Sequence, residues 1–174
     1  MTKSISLLVG VLAVLSLVAC QSMERGTGQK ASATLDSRSG SNAKGTVNFV
    51  WQGYDVLVTG NFSGLKPNAE QGFHVHEKGD CSAPDATSAG GHFNPDTASH
   101  GMPGSGSNHA GDMPNIKSDA NGNAVYSAKL SGFSVSSGPT GILGRSVVVH
   151  RDPDDYKSQP AGNSGPRIAC GLIK

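Results

Sequence analysis

Residues 72–81 read Gly-Phe-His-Val-His-Glu-Lys-Gly-Asp-Cys, and a long loop of small residues follows as far as Asp112. His74 and His76 are two positions apart in the apolar part of this stretch. Side chains two positions apart on a β-strand point to the same face of the sheet. The spacing therefore predicts a strand from which both imidazoles can reach one metal ion.

Further candidate metal ligands follow in the loop and beyond it. The loop carries His92, His100, His109 and Asp112, and the sixth histidine of the chain, His150, ends the run Ser-Val-Val-Val-His. A β-branched run of this kind is typical of a buried strand. Imidazoles with one carboxylate suit zinc, and an all-imidazole set in a tetragonal geometry suits copper. The sequence predicts a two-metal site on a β scaffold, but the spacing does not assign each histidine to one ion.

The rest of the chain has the pattern of an all-β protein. Runs that are apolar or alternate between apolar and polar residues cover 31–36, 45–51, 54–62, 72–76, 124–130, 146–150 and 167–173. Breaks such as 51–54 and 119–122 contain glycine and are typical of turns. Many short strands separated by turns favour an antiparallel sandwich or barrel.

The first 19 residues resemble an export signal. Lys3 supplies a basic start, and residues 5–19 are almost entirely apolar yet short for a bilayer span. They end at Leu-Val-Ala-Cys20, which resembles the bacterial lipoprotein cleavage box. We expect Cys20 to be the acylated mature N-terminus; the alternative is an ordinary cleaved signal followed by a bystander cysteine. Residues 20–29 are then a flexible tether, and residues 30–174 form one domain.

Charge gives no indication of nucleic-acid binding. The chain has 14 basic and 13 acidic residues, and removal of Lys3 with the signal leaves thirteen of each. Export to the periplasm or cell envelope is the expected location. Gln21 stands where an aspartate is associated with inner-membrane retention, which favours the outer membrane.

Six separated motifs resemble those of the copper/zinc superoxide dismutase family in order and spacing. They occupy residues 72–77, 91–95, 100–101, 109–112, 144–150 and 165–171. The resemblance extends over about residues 30–174. The export signal and the position of Cys81 make the chain similar to bacterial, periplasmic, lipoprotein-type members. The resemblance implies an eight-stranded antiparallel Greek-key β-barrel, with an immunoglobulin-like sandwich architecture and long metal-binding and electrostatic loops.

The resemblance also assigns the ligands. Copper would be held by His74, His76, His92 and His150, and zinc by His92, His100, His109 and Asp112. His92 would bridge the two ions as an imidazolate. No histidine is left for another task.

The resemblance implies roles for four further residues. Arg167 would guide the anionic substrate and act with His92 in catalysis. Asp154 would accept hydrogen bonds from the ligands His74 and His100. Cys81 and Cys170 would form a disulfide, which agrees with an oxidising compartment.

This chain departs from the family pattern around the substrate channel. The segment between His150 and Arg167 is short, and Ala161 stands where a threonine often faces the arginine. Arg151 and Lys157 are the remaining candidates for secondary steering charges.

The implied activity is the dismutation of superoxide to dioxygen and hydrogen peroxide, with copper cycling between Cu(II) and Cu(I). The alternative is a non-catalytic periplasmic copper- and zinc-binding protein on the same scaffold. The complete copper ligand set together with Arg167 favours the enzyme. The resemblance leaves both a monomer and a homodimer open.

Overall fold

The computed structural model describes residues 28–174, and the predicted signal and Cys20 lie outside the described residues. Strands dominate this part of the chain. They are β1 (Lys30–Ser37), β2 (Lys44–Trp51), β3 (Val56–Ser63), β4 (Glu70–Gln71), β5 (Phe73–His76), β6 (Ile116–Lys117), β7 (Ala124–Leu130), β8 (Ser146–His150) and β9 (Arg167–Leu172). A short 3-10 helix spans Thr87–Ala89. Among the described residues, no helix is long and apolar enough to span a bilayer.

The strands close into a ring. Seven of them form an antiparallel sheet in the order β5-β8-β9-β1-β2-β3-β7, and β4 pairs with β6. Only Gly72 separates β4 from β5, and β6 lies beside β7. Counting β4 and β5 as one interrupted strand gives eight strands, and the β3–β4 and β7–β8 connections each cross two neighbours. The predicted all-β, eight-stranded Greek-key barrel is confirmed.

Alternation of apolar and polar residues produces the barrel core. In β1, Ala31, Ala33 and Leu35 are buried and alternate with exposed residues, and β2 buries Val47 and Phe49 in the same way. Strands β5 and β8 differ, because every residue in them is buried. One face of each packs on the core and the other lies beneath loops, which is where the candidate metal ligands are.

The predicted strand boundaries lie within one residue of the structure except at the start of β3, and two short strands were missed. The run 54–62 begins only at Val56, because the amide of Gln52 donates to the carbonyl of Asp55 and Gly53 has a φ of 87°, which closes a turn. Strands β4 and β6 were not predicted. Each has two residues, too few to show alternation.

The predicted disulfide is present. Cys81 and Cys170 are bonded, with their Cα atoms 5.8 Å apart, and they join the loop after β5 to strand β9. Cys170 packs with Ala86, Ala89 and Val148 in a small apolar cluster outside the barrel. The bond therefore fixes the start of the long loop against the sheet.

Candidate metal centre

Two groups of four buried side chains lie beneath the loops that cover β5 and β8. The first group contains His74, His76, His92 and His150, and the second contains His92, His100, His109 and Asp112. Within each group, one candidate ligand atom from every residue lies within 4.8 Å of the others. The structure thus brings together every metal-ligand candidate of the sequence, in two groups that share His92.

Strand pairing assembles the first group. His74 and His76 lie on the outer face of β5, which pairs with β8, and His150 is the last residue of β8. An isolated antiparallel bridge between His76 and His92 brings the loop histidine alongside. Three of the four rings are therefore carried by two paired barrel strands, and the fourth by a loop segment that pairs with one of them.

The tautomers of His76 and His150 are determined by backbone carbonyls. Nδ1 of His76 donates to the Gly90 carbonyl over 3.0 Å, and Nδ1 of His150 donates to the Gly165 carbonyl over 3.2 Å. Each Nε2 is therefore unprotonated, and these two atoms are 3.3 Å apart. Two lone pairs this close repel one another unless a cation lies between them, which suits a metal ion.

Two further nitrogens of this group are suited to a metal. His74 donates from Nε2 to Oδ2 of Asp154 over 2.8 Å, which leaves a lone pair on Nδ1. Among residues 28–174, Nδ1 of His74 and Nε2 of His92 are buried without a hydrogen-bond partner. A buried polar atom without a partner is costly, so a bound ion would relieve both. A four-imidazole set of this kind suits copper.

The second group has the dimensions of a tetrahedral zinc site. Oδ1 of Asp112 lies 2.8, 3.1 and 3.3 Å from Nδ1 of His92, His100 and His109. Nδ1 of His92 and Nδ1 of His109 are 3.4 Å apart. Donors placed ~2.0–2.1 Å from a tetrahedral zinc ion are about 3.3 Å from one another. The donor atoms present therefore fit zinc in both type and spacing.

The charges of the second group favour a cation. Burial opposes ionisation of Asp112, but hydrogen bonds from His100, His109 and His92 outweigh it and hold the pKa of Asp112 well below its usual range. Burial also disfavours a charged His100, but its hydrogen bonds to Asp112 and Asp154 outweigh burial and raise its pKa to about 9. Positive charge is therefore stabilised between these two carboxylates, where zinc would supply it.

The histidines of the first group are neutral at neutral pH. Burial is the largest cause that lowers the pKa of His76 and His150 well below 6.5, and the charge of Arg167 adds to it. Burial, and then the neighbouring His74, lower the pKa of His92 to about 4. Neutral imidazole is the form that binds metals.

Asp154 links the two groups. It lies in the loop between β8 and β9, and its two carboxylate oxygens accept hydrogen bonds from Nε2 of His74 over 2.8 Å and Nε2 of His100 over 2.9 Å. The side chain is fully buried. One carboxylate thus orients one ring of each group, as carboxylates behind metal-ligating histidines do.

A backbone junction that the sequence did not reveal holds the ligand-bearing segments together. The amide of Phe93 donates to the Val75 carbonyl over 2.8 Å, and the Phe93 carbonyl accepts from Gly111 over 2.8 Å. The guanidinium of Arg145 lies 3.8 Å from the centre of the Phe93 ring and also donates to the Glu77 carbonyl. These residues adjoin the ligands His74, His76, His92 and Asp112, so the junction positions both groups.

Arg167 lies at the entrance to the first group. Its guanidinium donates to the carbonyls of Ala86 over 2.7 Å and Gly90 over 2.6 Å, and Gly90 also accepts from His76. Burial lowers the pKa of Arg167, the charge of Asp85 opposes this, and the group stays cationic. Arg167 and His150 line the same cavity of about 230 Å³.

The other predicted residues of the entrance are less directly placed. Ala161 lines the cavity with Arg167. Arg151 is exposed and pairs with its neighbour Asp152 over 3.0 Å, and Lys157 is exposed in the same loop. The Asp152 carboxylate reduces the positive field that Arg151 can contribute to the entrance.

Comparisons with known proteins agree with this geometry. The model of the copper/zinc superoxide dismutase (SODC) family matches residues 43–173. The "Superoxide dismutase [Cu-Zn] 2" of Aquifex aeolicus (strain VF5) is 47% identical over 123 residues, which are 68% of this chain and 72% of that protein. The "Superoxide dismutase [Cu-Zn]" of Humicola lutea is 43% identical over 152 residues, which are 83% of this chain and 97% of that protein.

Solved structures resemble the whole barrel. The clock protein EA4 matches with a TM-score of 0.75 and 40% identity over 85% of this chain and 95% of that one. A double mutant of a SOD-like protein from Bacillus subtilis matches with a TM-score of 0.72 and 36% identity over 80% of this chain and 94% of that one. With the two donor groups described above, these matches show that the chain belongs to the copper/zinc superoxide dismutase family and is an oxidoreductase that acts on superoxide with copper and zinc as cofactors.

Proposed function

We propose that superoxide reacts at copper held by one of the two donor groups, beside zinc held by the other. The copper ligands are His74, His76, His92 and His150, and the zinc ligands are His92, His100, His109 and Asp112. The sharing of the His92 ring carries this assignment, because the ring belongs to both groups. Its Nδ1 lies 2.8 Å from Asp112 of the second group, and its Nε2 is buried without a hydrogen-bond partner, which leaves that nitrogen for the first. As an imidazolate, His92 can join both ions.

The surrounding residues account for the chemistry of a small anionic substrate. Copper, when bound, supplies the one-electron couple between Cu(II) and Cu(I) that dismutation requires. Arg167 attracts the anion and holds it near His150. Nε2 of His92 would hold and return one of the two protons that the product hydrogen peroxide needs, and solvent would supply the other. Asp154 keeps His74 and His100 in fixed orientations during these steps.

Turnover, rather than metal storage, is the role that the site supports. A reservoir needs donor atoms but no cation at an open entrance. Here Arg167 is held by two carbonyl groups and lines a cavity together with the copper-ligand candidate His150. Protein loaded with copper and zinc should remove superoxide, and metal-free protein should not. Full activity without metal would contradict the proposal.

Replacement of Arg167 by alanine should lower the rate with superoxide and leave the metal content unchanged. Charged clefts of this kind raise association rates by about ten-fold or more, and added salt screens the effect. We therefore expect Arg167→Ala to lower kcat/KM by about ten-fold and to make it less sensitive to ionic strength. Pulse radiolysis over a series of salt concentrations measures both quantities.

Two variants separate the charge of Arg167 from its geometry. Arg167→Lys keeps a cation but loses the fork that contacts two carbonyls, so its rate should fall less and its salt dependence should persist. Lys44→Ala removes an exposed charge on β2, outside the cavity that Arg167 lines, and should change little. An Arg167→Ala protein with the salt dependence of the wild type would rule out the steering role.

We also propose that the protein is exported and anchored by lipid at Cys20. Residues 1–19 would be removed as a lipoprotein signal, residues 20–29 would tether the domain of residues 30–174, and the location would be the cell envelope. The Cys81–Cys170 disulfide supports this, because structural disulfides persist in oxidising compartments. More than one acyl chain gives a stable anchor.

Labelling with a radioactive fatty acid tests the anchor. Wild-type protein should carry the label and sediment with membranes, whereas Cys20→Ser should be unlabelled. An unlabelled wild type would contradict the anchor and leave the enzyme assignment intact.

All the proposed ligands come from one chain, so the site does not require a homodimer. Sedimentation of the purified protein measures the oligomeric state.

A further inference from the structure

The side-chain amide of Gln159 binds the main chain of a zinc-ligand candidate. Its Oε1 accepts from the amide of His100 over 2.8 Å, and its Nε2 donates to the carbonyl of His100 over 2.9 Å. A main-chain N–H can only donate and a carbonyl can only accept, so these contacts also determine the orientation of the carboxamide. Gln159 thus forms with the His100 main chain the same pair of hydrogen bonds that a residue of a neighbouring β-strand would form.

This contact acts on a part of the loop that lies outside any strand, where the amide of the next residue, Gly101, donates to Oδ2 of Asp112 over 3.1 Å. His100 lies between the ligands His92 and His109, in a stretch without regular secondary structure. Its main-chain N–H and carbonyl have no partner in a sheet, and Gln159 supplies both from 59 positions away. Loop segments outside the sheet open more easily than strands do, so two hydrogen bonds at the main chain of one ligand restrict that segment.

The same loop also holds the ring of His100. Asp154, five positions before Gln159, accepts from Nε2 of His100 over 2.9 Å. The main chain of Asp154 is held in its turn by Asn115, whose Oδ1 accepts from the Asp154 amide over 2.9 Å and whose Nδ2 donates to its carbonyl over 3.0 Å. The carboxamide of Gln159 therefore holds the main chain of His100, and the carboxamide of Asn115 holds the main chain of Asp154, on either side of the Asp154–His100 hydrogen bond.

We propose that Gln159 is a positioning residue of the metal centre, which fixes the backbone of His100 and thereby slows the release of zinc. With the ring held by Asp154 and the main chain held by Gln159, Nδ1 of His100 has one direction, toward Oδ1 of Asp112 at 3.1 Å. Without Gln159, the His100 segment can move away while its ring still contacts Asp154. This inference rests on the proposed assignment of His100 to zinc.

The test is the rate at which zinc passes from the copper- and zinc-loaded protein to a chromogenic chelator. Gln159→Met keeps the length of the side chain without its polar atoms, and Gln159→Ala removes it. Partners that orient metal ligands typically change metal affinity by about 10–100-fold. We expect zinc release to be at least about ten-fold faster in both variants. Gln159 is exposed, so both variants should fold.

Ser158→Ala is the matched control. Ser158 is adjacent, and its hydroxyl donates to Oδ2 of Asp155 in the same loop without contacting His100. It should release zinc at the wild-type rate. Cobalt in the zinc position provides a second readout, because its visible absorption should change in Gln159→Met and stay unchanged in Ser158→Ala.

Three results would overturn the inference. Zinc release from both Gln159 variants at the wild-type rate would contradict the positioning role of Gln159 without affecting the proposed function. Equal acceleration in Ser158→Ala would indicate general loosening of the loop. A wild-type protein that binds no zinc would remove the proposed ligand assignment together with this inference.

Discussion

Replacement of His74 by alanine is expected to lower the superoxide dismutase activity of the copper- and zinc-loaded protein by more than about 100-fold. The variant loses a copper donor and also leaves Oδ2 of Asp154 without its partner at 2.8 Å. A buried carboxylate oxygen without a hydrogen-bond partner also lowers the free energy of unfolding. Activity assays combined with copper analysis by mass spectrometry measure the effect.

Val75→Ala is the control for this experiment. Val75 lies between His74 and His76 on the same strand, but its side chain is buried in the barrel core. Its truncation leaves a cavity and lowers the free energy of unfolding without removing a donor. The Val75 variant should keep its copper and its activity. A His74→Ala protein with wild-type activity would exclude His74 as a copper ligand.

Removal of the disulfide should produce the largest loss of stability. The Cys81–Cys170 bond closes a loop with a sequence separation of 89 residues. On the chain-entropy model, a loop of this length contributes about 4–5 kcal/mol. Replacement of both cysteines by serine should therefore lower the free energy of unfolding by about that amount, as measured by guanidinium denaturation of the metal-loaded proteins.

The double serine variant should also hold Arg167 less firmly at the entrance to the copper site. Arg167 donates to the carbonyl of Ala86, and Ala86 packs in the small cluster with the disulfide cysteine Cys170.

Reduction of the wild type with dithiothreitol should reproduce the stability loss of the double serine variant. Equal unfolding free energies for the oxidised and reduced wild type would contradict the structural role of the bond.

The sequence predicted the long strands well because their physical signals are local. Alternation around Val47 and Phe49 identifies β2, and the run of valines identifies β8. Strands β4 and β6 have two residues each and exist because they pair with one another, so no local pattern marks them. The start of β3 at Val56 depends on the turn at Gly53.

The sequence also predicted which side chains would converge, because the family resemblance assigned every histidine to a metal group, whereas the spacing alone left the assignment open. It gave no indication of the contacts that hold them. Arg145 lies over Phe93, and Gln159 binds His100, across separations of 52 and 59 positions. Such pairs are set by the packing of distant segments, and neither residue type is distinctive of a metal site.

X-ray diffraction at the copper and zinc absorption edges, on crystals that contain both metals, tests the central claim most directly. We expect one copper ion bonded to Nε2 of His92 and one zinc ion bonded to Nδ1 of the same ring. Two ions that share no donor atom from His92, or a His92 ring that contacts neither ion, would contradict it.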